Sequence, residues 1–474
     1  MSAAQAGNAT LGATKTAPVA EAAAPVRVML CDDSATVRGA LARMLRTDSA
    51  IRIVAQVGDG RAALAALPEA RPEVVLLDLE MPVMDGMTAL PLLLRQPAEL
   101  RPVVIVASAL TQRGAAAAMA ALRAGAADYL PKPSASSGGV ADPVFQAELV
   151  AKVKGWARLR RRWRMPAAPL PDGAIPGAPS GPARPERVPL TPAASGSASP
   201  GAIRRPIAGR PEPTSSGRAA LHRLARSEPA AVPGPARWPT ARAGIVPPPG
   251  GVARDTPIRR QRAPEGAAPT IAAPRTAPRV VVIGASTGGP QALAALVRRL
   301  PAAPTVPVLV VQHMPAGFTA MLADHLSRLG GPPAAEAREG EVLRPGRLYL
   351  APGDRHLLVE AGADGALLAR LSDAPAENFC RPAVDPLLRS LVAACGGERV
   401  LAVVLTGMGQ DGLAGCRAVA AAGGQVLAQD EASSVVWGMP GAVARAGLAQ
   451  VVAPPEILAE RIAAALPGPG MRVE

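Results

Sequence analysis

The run Val280-Val281-Val282-Ile283-Gly284-Ala285-Ser286-Thr287-Gly288-Gly289-Pro290 decides the fold of the second half of this chain. Four β-branched apolar residues in a row read as a strand buried on both faces. A glycine-rich turn follows at once, and Gln291 to Leu300 reads as an amphipathic helix. Ser286 therefore sits on a tight strand-to-helix turn, in a Gly-x-Ser-x-Gly spacing. Such a turn lifts a hydroxyl clear of the sheet and aims helix N–H groups at whatever it attacks. Glycine-rich strand–helix turns also hold phosphates and nucleotides, and this run alone leaves both readings open.

Two later segments favour the nucleophile. Pro307 to Gln312 is another buried-strand pattern and ends at His313; Arg399 to Leu405 is a third and leads through Thr406-Gly407-Met408-Gly409-Gln410 to Asp411. In an open parallel sheet, ligands bind beyond the carboxyl ends of the strands. Ser286, His313 and Asp411 all lie there, as a nucleophile, a general base and an acid to orient the base. The chain has only four histidines. His222 lies in a low-complexity stretch, His325 within the helical pattern from Phe318 to Leu329, and His356 in an expected turn after Pro352-Gly353-Asp354. Only His313 is placed like Ser286. The order Ser…His…Asp also differs from the Ser…Asp…His order of α/β-hydrolases.

Working outward, the first part of the chain reads as strand–helix alternation. Strands are expected at Arg27–Leu30, Ile51–Val57, Val74–Leu77, Val103–Val106 and Asp128–Leu130. Helices are expected at Ala35–Arg46, Gly60–Leu67, Met87–Leu94, Ala115–Ala124 and from Val144 to Arg164. Five strands alternating with helices imply a small doubly wound domain. From Met165 to Pro278 the pattern stops. That stretch holds roughly half of the 53 prolines, few Leu, Ile, Val or Phe, and no sustained period. Its composition reads as a long, basic, proline-stiffened linker. The expected division is a disordered tail over 1–25, a first domain over 26–145, a helix end and linker over 146–278, and a catalytic domain over 279–468.

The 474 residues suffice for two or three domains. Most of the net charge of +14 falls in the linker, so it says little about the folded parts. Basic residues there alternate with proline and almost no aromatic groups, which argues against nucleic-acid binding. Cys31, Cys380, Cys395 and Cys416 show no metal-ligand spacing and read as reduced, mostly buried thiols of a cytoplasmic protein. No signal-peptide pattern opens the chain, and no apolar run of about 18 residues suggests a membrane span.

The first domain has its own chemistry. Asp32 and Asp33 follow its first strand, Asp78 ends the third, and Lys132 follows the fifth. All four should converge at one end of the sheet. Three carboxylates form a hard-oxygen site for Mg²⁺, and a lysine beside them can pair with a phosphoryl group. This pattern closely resembles a two-component receiver domain. The resemblance implies Asp78 as phospho-acceptor, Asp32, Asp33 and Asp78 as Mg²⁺ ligands, Lys132 as phosphate contact, and Tyr129 as switch aromatic. Receivers carry Ser or Thr just after the fourth strand. Here a gapless alignment puts Ala107 at that place, with Ser108 substituting by a one-residue shift.

The second domain resembles the chemotaxis protein-glutamate methylesterases of the CheB family. The resemblance rests on Ile283–Gly289, Gln312–Thr319, Tyr349–His356, Arg381–Asp385, Leu405–Gly412, Gln429–Ser433 and Gly438–Pro440. It implies an α/β fold with a flavodoxin-like (βα)5 receiver and a doubly wound, mainly parallel esterase domain. It further implies hydrolysis of γ-glutamyl methyl esters, and often deamidation of glutamines, on methyl-accepting chemotaxis receptors. A chemotaxis histidine kinase would be the phosphodonor. Mg²⁺ would serve the receiver, and no cofactor is expected in the esterase domain. Ser286, His313 and Asp411 are the implied triad, with Thr287 and Met408 as site walls beside backbone N–H groups of the Ser286 turn and the Gly407-Met408 loop. A non-catalytic partner-binding output domain, a DNA-binding regulator using the linker, and a general carboxylesterase are the alternatives. The linker, of about 110 residues, would leave its ends about 50–60 Å apart as a flexible coil. The receiver is therefore expected to be undocked much of the time and to inhibit weakly.

Overall fold

The computed structural model describes residues 24–108, 111–132, 143–164 and 276–467. The expected tail, most of the linker and residues past 467 lie outside the described residues.

The first sheet is built from β1 (Val26–Cys31), β2 (Ile51–Val57), β3 (Val74–Asp78), β4 (Val103–Ser108) and β5 (Asp128–Pro131). Helices α1 (Ala35–Arg46), α2 (Gly60–Ala70), α3 (Gly86–Leu94), α4 (Gln112–Arg123) and α5 (Pro143–Arg164) alternate with them. All neighbours are parallel, in the order β2-β1-β3-β4-β5. Burial explains the composition. Every residue of β3 and β4 is buried, so both are continuous apolar runs, whereas edge strand β2 is partly exposed and admits Arg52 and Gln56. Two of these helices extend beyond an expected bound by more than one residue. Thr111 caps α4 by accepting from Gly114 N, which starts the helix before the alanine run. α2 continues through Pro68 to Ala70.

The second sheet is larger. Its elements are β6 (Val280–Ala285), α6 (Gly289–Val297), β7 (Val308–Gln312), α7 (Phe318–Ser327), β8 (Ala334–Glu336), β9 (Leu348–Leu350), β10 (His356–Ala361), β11 (Leu367–Ser372), α8 (Val384–Cys395), β12 (Val400–Val404), α9 (Leu413–Ala421), β13 (Gln425–Gln429), α10 (Met439–Arg445), β14 (Val451–Ala453) and α11 (Pro455–Ala465). Seven strands are ordered β14-β13-β12-β6-β7-β9-β8, with parallel neighbours throughout. β10 and β11 form a separate antiparallel hairpin. The chain winds outward from β6 in one direction and later returns beside it as β12. That makes the β6–β12 junction the topological switch point, where open α/β sheets place ligands. Among the described residues no helix is long and apolar enough to cross a membrane.

His356 is not in a turn but begins β10. It is buried, its Nδ1 accepts from Ala383 N at 3.2 Å, and its Nε2 lies 3.1 Å from the Pro375 carbonyl. Both ring nitrogens are engaged in holding the fold.

Candidate active site

Backbone hydrogen bonds continue past the strand ends and fix Ser286 and His313 in register. Ser286 N donates to the Thr406 carbonyl beside β12, and His313 N donates to the Ala285 carbonyl at the end of β6. Gly288, at φ 76°, makes the left-handed turn into α6 with no room for a larger residue, because a Cβ would lie 2.3 Å from Val435.

Asp411 is the most enclosed group of the site. Its Oδ2 lies 2.8 Å from His313 Nε2. Its oxygens also accept from Val384 N, Asp385 N, Gly412 N and the side-chain amide of Asn378. Val384 and Asp385 open α8, so the carboxylate sits at a helix N-terminus. Burial by itself would push Asp411 up, but the His313 bond and these amides outweigh it and hold the carboxyl below its ordinary range. His313 is the mirror case. Burial opposes its charge, yet Asp411 and the neighbouring Cys380 sulfur raise it to about 10.

The imidazole orientation has a chemical consequence. With Nε2–H donating to Asp411, Nδ1 is the basic atom. Nδ1 faces Cys380 Sγ at 3.3 Å, and among the described residues no hydrogen bond joins Ser286 Oγ to the ring. In the sequence Cys380 reads only as a thiol, and no pattern gives Asn378 or Asp385 a role. Asn378 spans the two carboxylates, at 3.0 Å from Asp385 Oδ2 and 3.0 Å from Asp411 Oδ1. Asp385 also accepts from Gly415 N at 2.7 Å. The motif Arg381–Asp385 was the available signal, but spacing alone does not say which backbone it cradles.

Thr287 is buried beside Ser286, and its carbonyl accepts from the Thr406 hydroxyl at 2.8 Å. The Gly407 N–H donates to the Val436 carbonyl, so one amide of the Gly407-Met408 loop is already committed.

In the first sheet, Lys132 Nζ lies 2.9 Å from Asp32 Oδ2 and 2.6 Å from Asp78 Oδ2. Asp32, Asp33 and Asp78 each bring a carboxylate oxygen within 4.8 Å of the others. Desolvation raises the Asp78 carboxyl, Lys132 partly opposes this, and the Asp32 charge adds to the rise. Ser108 lies at the end of β4. Its buried hydroxyl donates to the Gly114 carbonyl at 2.7 Å and is tied to α4.

Tyr129 is buried with its ring stacked on Phe318, the first residue of α7, centroids 5.1 Å apart. Beside it, Asp128 Oδ2 accepts from Gly288 N at 3.2 Å, in the Ser286 turn itself. Gln291 donates to the Ala126 carbonyl, and Arg158 to the Ser434 carbonyl. These contacts oppose the undocked receiver expected from linker length.

Residues 281–462 match the CheB methylesterase family model, and residues 28–140 match the response regulator receiver domain. A protein-glutamate methylesterase/protein-glutamine glutaminase of Azospirillum brasilense is 43% identical over 91% of this chain and 90% of its own length. The chain belongs to the CheB methylesterase family. A second relative of this family, from Paramagnetospirillum magneticum and carrying the same double name, is 44% identical over 91% of this chain and 94% of its own. A third, the group 2 operon protein of Bradyrhizobium diazoefficiens, is 41% identical over 96% of both chains. A receiver domain joined to a CheB esterase domain is the arrangement of a phosphorylation-regulated hydrolase.

Proposed function

We propose that Ser286, His313 and Asp411 hydrolyse γ-methyl esters of glutamate, and deamidate glutamine, on the cytoplasmic helices of chemotaxis receptors. The observation that carries this reading is the His313–Asp411 pair at 2.8 Å beside the Ser286 turn, in a chain of this family. His313 Nδ1 takes the Ser286 hydroxyl proton as Oγ attacks the ester carbonyl. Cys380 must yield its place at Nδ1 for this to happen. Asp411 stabilises the imidazolium, which then gives its proton to the departing methoxide, releasing methanol. Water, deprotonated in turn by Nδ1, hydrolyses the acyl-serine to glutamate and restores the hydroxyl. A glutamine substrate follows the same steps and releases ammonia. Thr287 and Met408 form the walls. The oxyanion of the tetrahedral intermediate falls to the Thr287 N–H of the Ser286 turn, since the Ser286, Gly288 and Gly289 N–H groups already donate elsewhere.

Residues 26–145 act as the receiver and 279–468 as the esterase in this reading. Asp78 accepts a phosphoryl group from a chemotaxis histidine kinase. The crowded carboxylates of Asp32, Asp33 and Asp78 suit a hard divalent cation, since their mutual repulsion is what such a charge relieves. Mg²⁺ bound there would neutralise charge on the incoming phosphoryl oxygens. Lys132 pairs with the phosphoryl group, and the changed charge around Asp78 and Lys132 biases Tyr129 away from Phe318. Asp128 now holds the Gly288 N–H, so an oxyanion reaching that amide competes with the receiver's own carboxylate. Releasing the receiver frees the turn. The esterase chemistry uses side chains and backbone alone.

The test is methanol release from methylated receptor membranes, with and without a small phosphodonor and Mg²⁺. Release stimulated by phosphodonor, and lost by about 10⁴-fold in Ser286→Ala with the fold intact, is the expected result. Near-normal turnover by Ser286→Ala would discard the nucleophile assignment.

A further inference from the structure

The segment Glu377-Asn378-Phe379-Cys380 reverses direction in two residues. Glu377 N donates to the Cys380 carbonyl at 3.0 Å, and Cys380 N donates back to the Glu377 carbonyl at 2.9 Å. Both central residues are left-handed, Asn378 at φ 52° and Phe379 at φ 63°. That is the pattern of a type I′ turn, which favours Asn at the first central position and Gly at the second. Asparagine fits. Phenylalanine does not, because an aromatic side chain in the left-handed region is strained.

Every other residue of the turn is tied down. Glu377 forms a two-pronged ion pair with Arg389, at 2.7 and 2.6 Å. Asn378 holds Asp411 and Asp385, and Cys380 touches His313. Phe379 has no such tie and stands in solvent, 89% exposed. The chain has only three phenylalanines. Phe318 is buried under Tyr129, and Phe145 is half-buried against the first domain's core. The one exposed phenylalanine therefore stands on a strained turn whose two flanking residues contact catalytic groups.

We propose that Phe379 is a substrate-recognition residue that packs on an apolar patch of the receptor helix one turn away from the target glutamyl ester. The inference rests on the functional reading above. On a helical substrate, residues three and four positions from the target share its face. An aromatic anchor set beside the base would bury that patch as the ester enters the site. Through Asn378 the turn ties this anchor to Asp411 and Asp385. Recognition is thereby linked to the carboxylate that orients His313.

The experiment compares kcat/KM on methylated receptor membranes with kcat/KM on the γ-methyl ester of free glutamate, which has no helix. Phe379→Gly suits the left-handed backbone, so its Tm should not fall. Its preference for receptor over the small ester should drop about tenfold through KM, the scale of losing one buried aromatic contact. Phe379→Tyr keeps the ring and should restore the preference. An unchanged preference in Phe379→Gly overturns the inference, as does an equal loss on both substrates, which would mean the turn acts only through its neighbours. If the wild-type protein turns over the small ester but releases no methanol from receptor, the functional reading fails and this inference with it.

Discussion

Asp78 stands at, and Asp411 beyond, the carboxyl end of a parallel sheet, and each is only 2% exposed, yet their environments push them in opposite directions. Asp78 is raised: burial costs it, Asp32 repels it, and Lys132 compensates in part. Asp411 is lowered: three backbone N–H groups, an amide side chain and an imidazole surround it. Burial sets the cost of the charge, and the donors decide whether it is met. In the proposed roles, the carboxylate that receives a phosphoryl group is left under-compensated, and the one that stays charged to support an imidazolium is fully donated to.

The strongest way to break this contrast is Asp411→Asn. It removes the charge while keeping the size, and leaves His313 without its orienting acceptor. Esterase turnover should fall by about 10⁴-fold at neutral pH, a loss typical of removing a triad acid. The His313 pKa should fall toward its ordinary value, and an NMR titration of its ring protons checks this directly. A His313 titration unmoved by the substitution would contradict the pairing.

Asp78→Asn strips the other side of the comparison. The variant should carry no base-labile phosphate after incubation with a phosphodonor, and the phosphodonor should no longer stimulate methanol release. Stoichiometric labelling of the variant would move the acceptor elsewhere.

The pH dependence sharpens both. His313 acts as a base only when neutral, and its pKa is raised to about 10. The kcat/KM for methyl ester should therefore keep rising with pH through the neutral range and into the alkaline one. The same pair sets stability. The His313 contribution is fully present below about 6.5, its unfolded value, and is lost as pH rises through the raised folded value. The Asp411 contribution is present above about 3.9 and is lost as pH falls through its lowered folded value. Asp78 runs opposite: its raised carboxyl makes folding costlier as pH climbs from about 3.9 through the raised value. The gap in urea midpoint between wild type and Asp411→Asn should be widest between these limits and narrow toward either extreme.

The smallest expected effect lies where the two sheets meet. Asp128→Asn weakens the bond to Gly288 N while keeping the shape of the side chain. Basal methanol release without phosphodonor should rise a few-fold. A fall in basal release would mean that Asp128 supports the site instead of capping it.

Much of this was legible in the sequence. Valine and isoleucine runs ending in Ser286, His313 and Asp78 mark strand ends, because strands buried on both faces admit little else. A parallel sheet then brings such ends together, which is why both constellations could be assembled from spacing. What the tertiary structure alone decided is who donates to whom. Asn378 lies 33 residues from Asp411, and Asp128 lies 160 from Gly288. No periodicity connects positions so far apart. The ring orientation that makes Nδ1 the base, the capture of the Ser108 hydroxyl by α4, and the exposure of Phe379 on a strained turn have the same origin. Each depends on which buried polar groups find partners after the chain has closed on itself, and local pattern carries no record of that pairing.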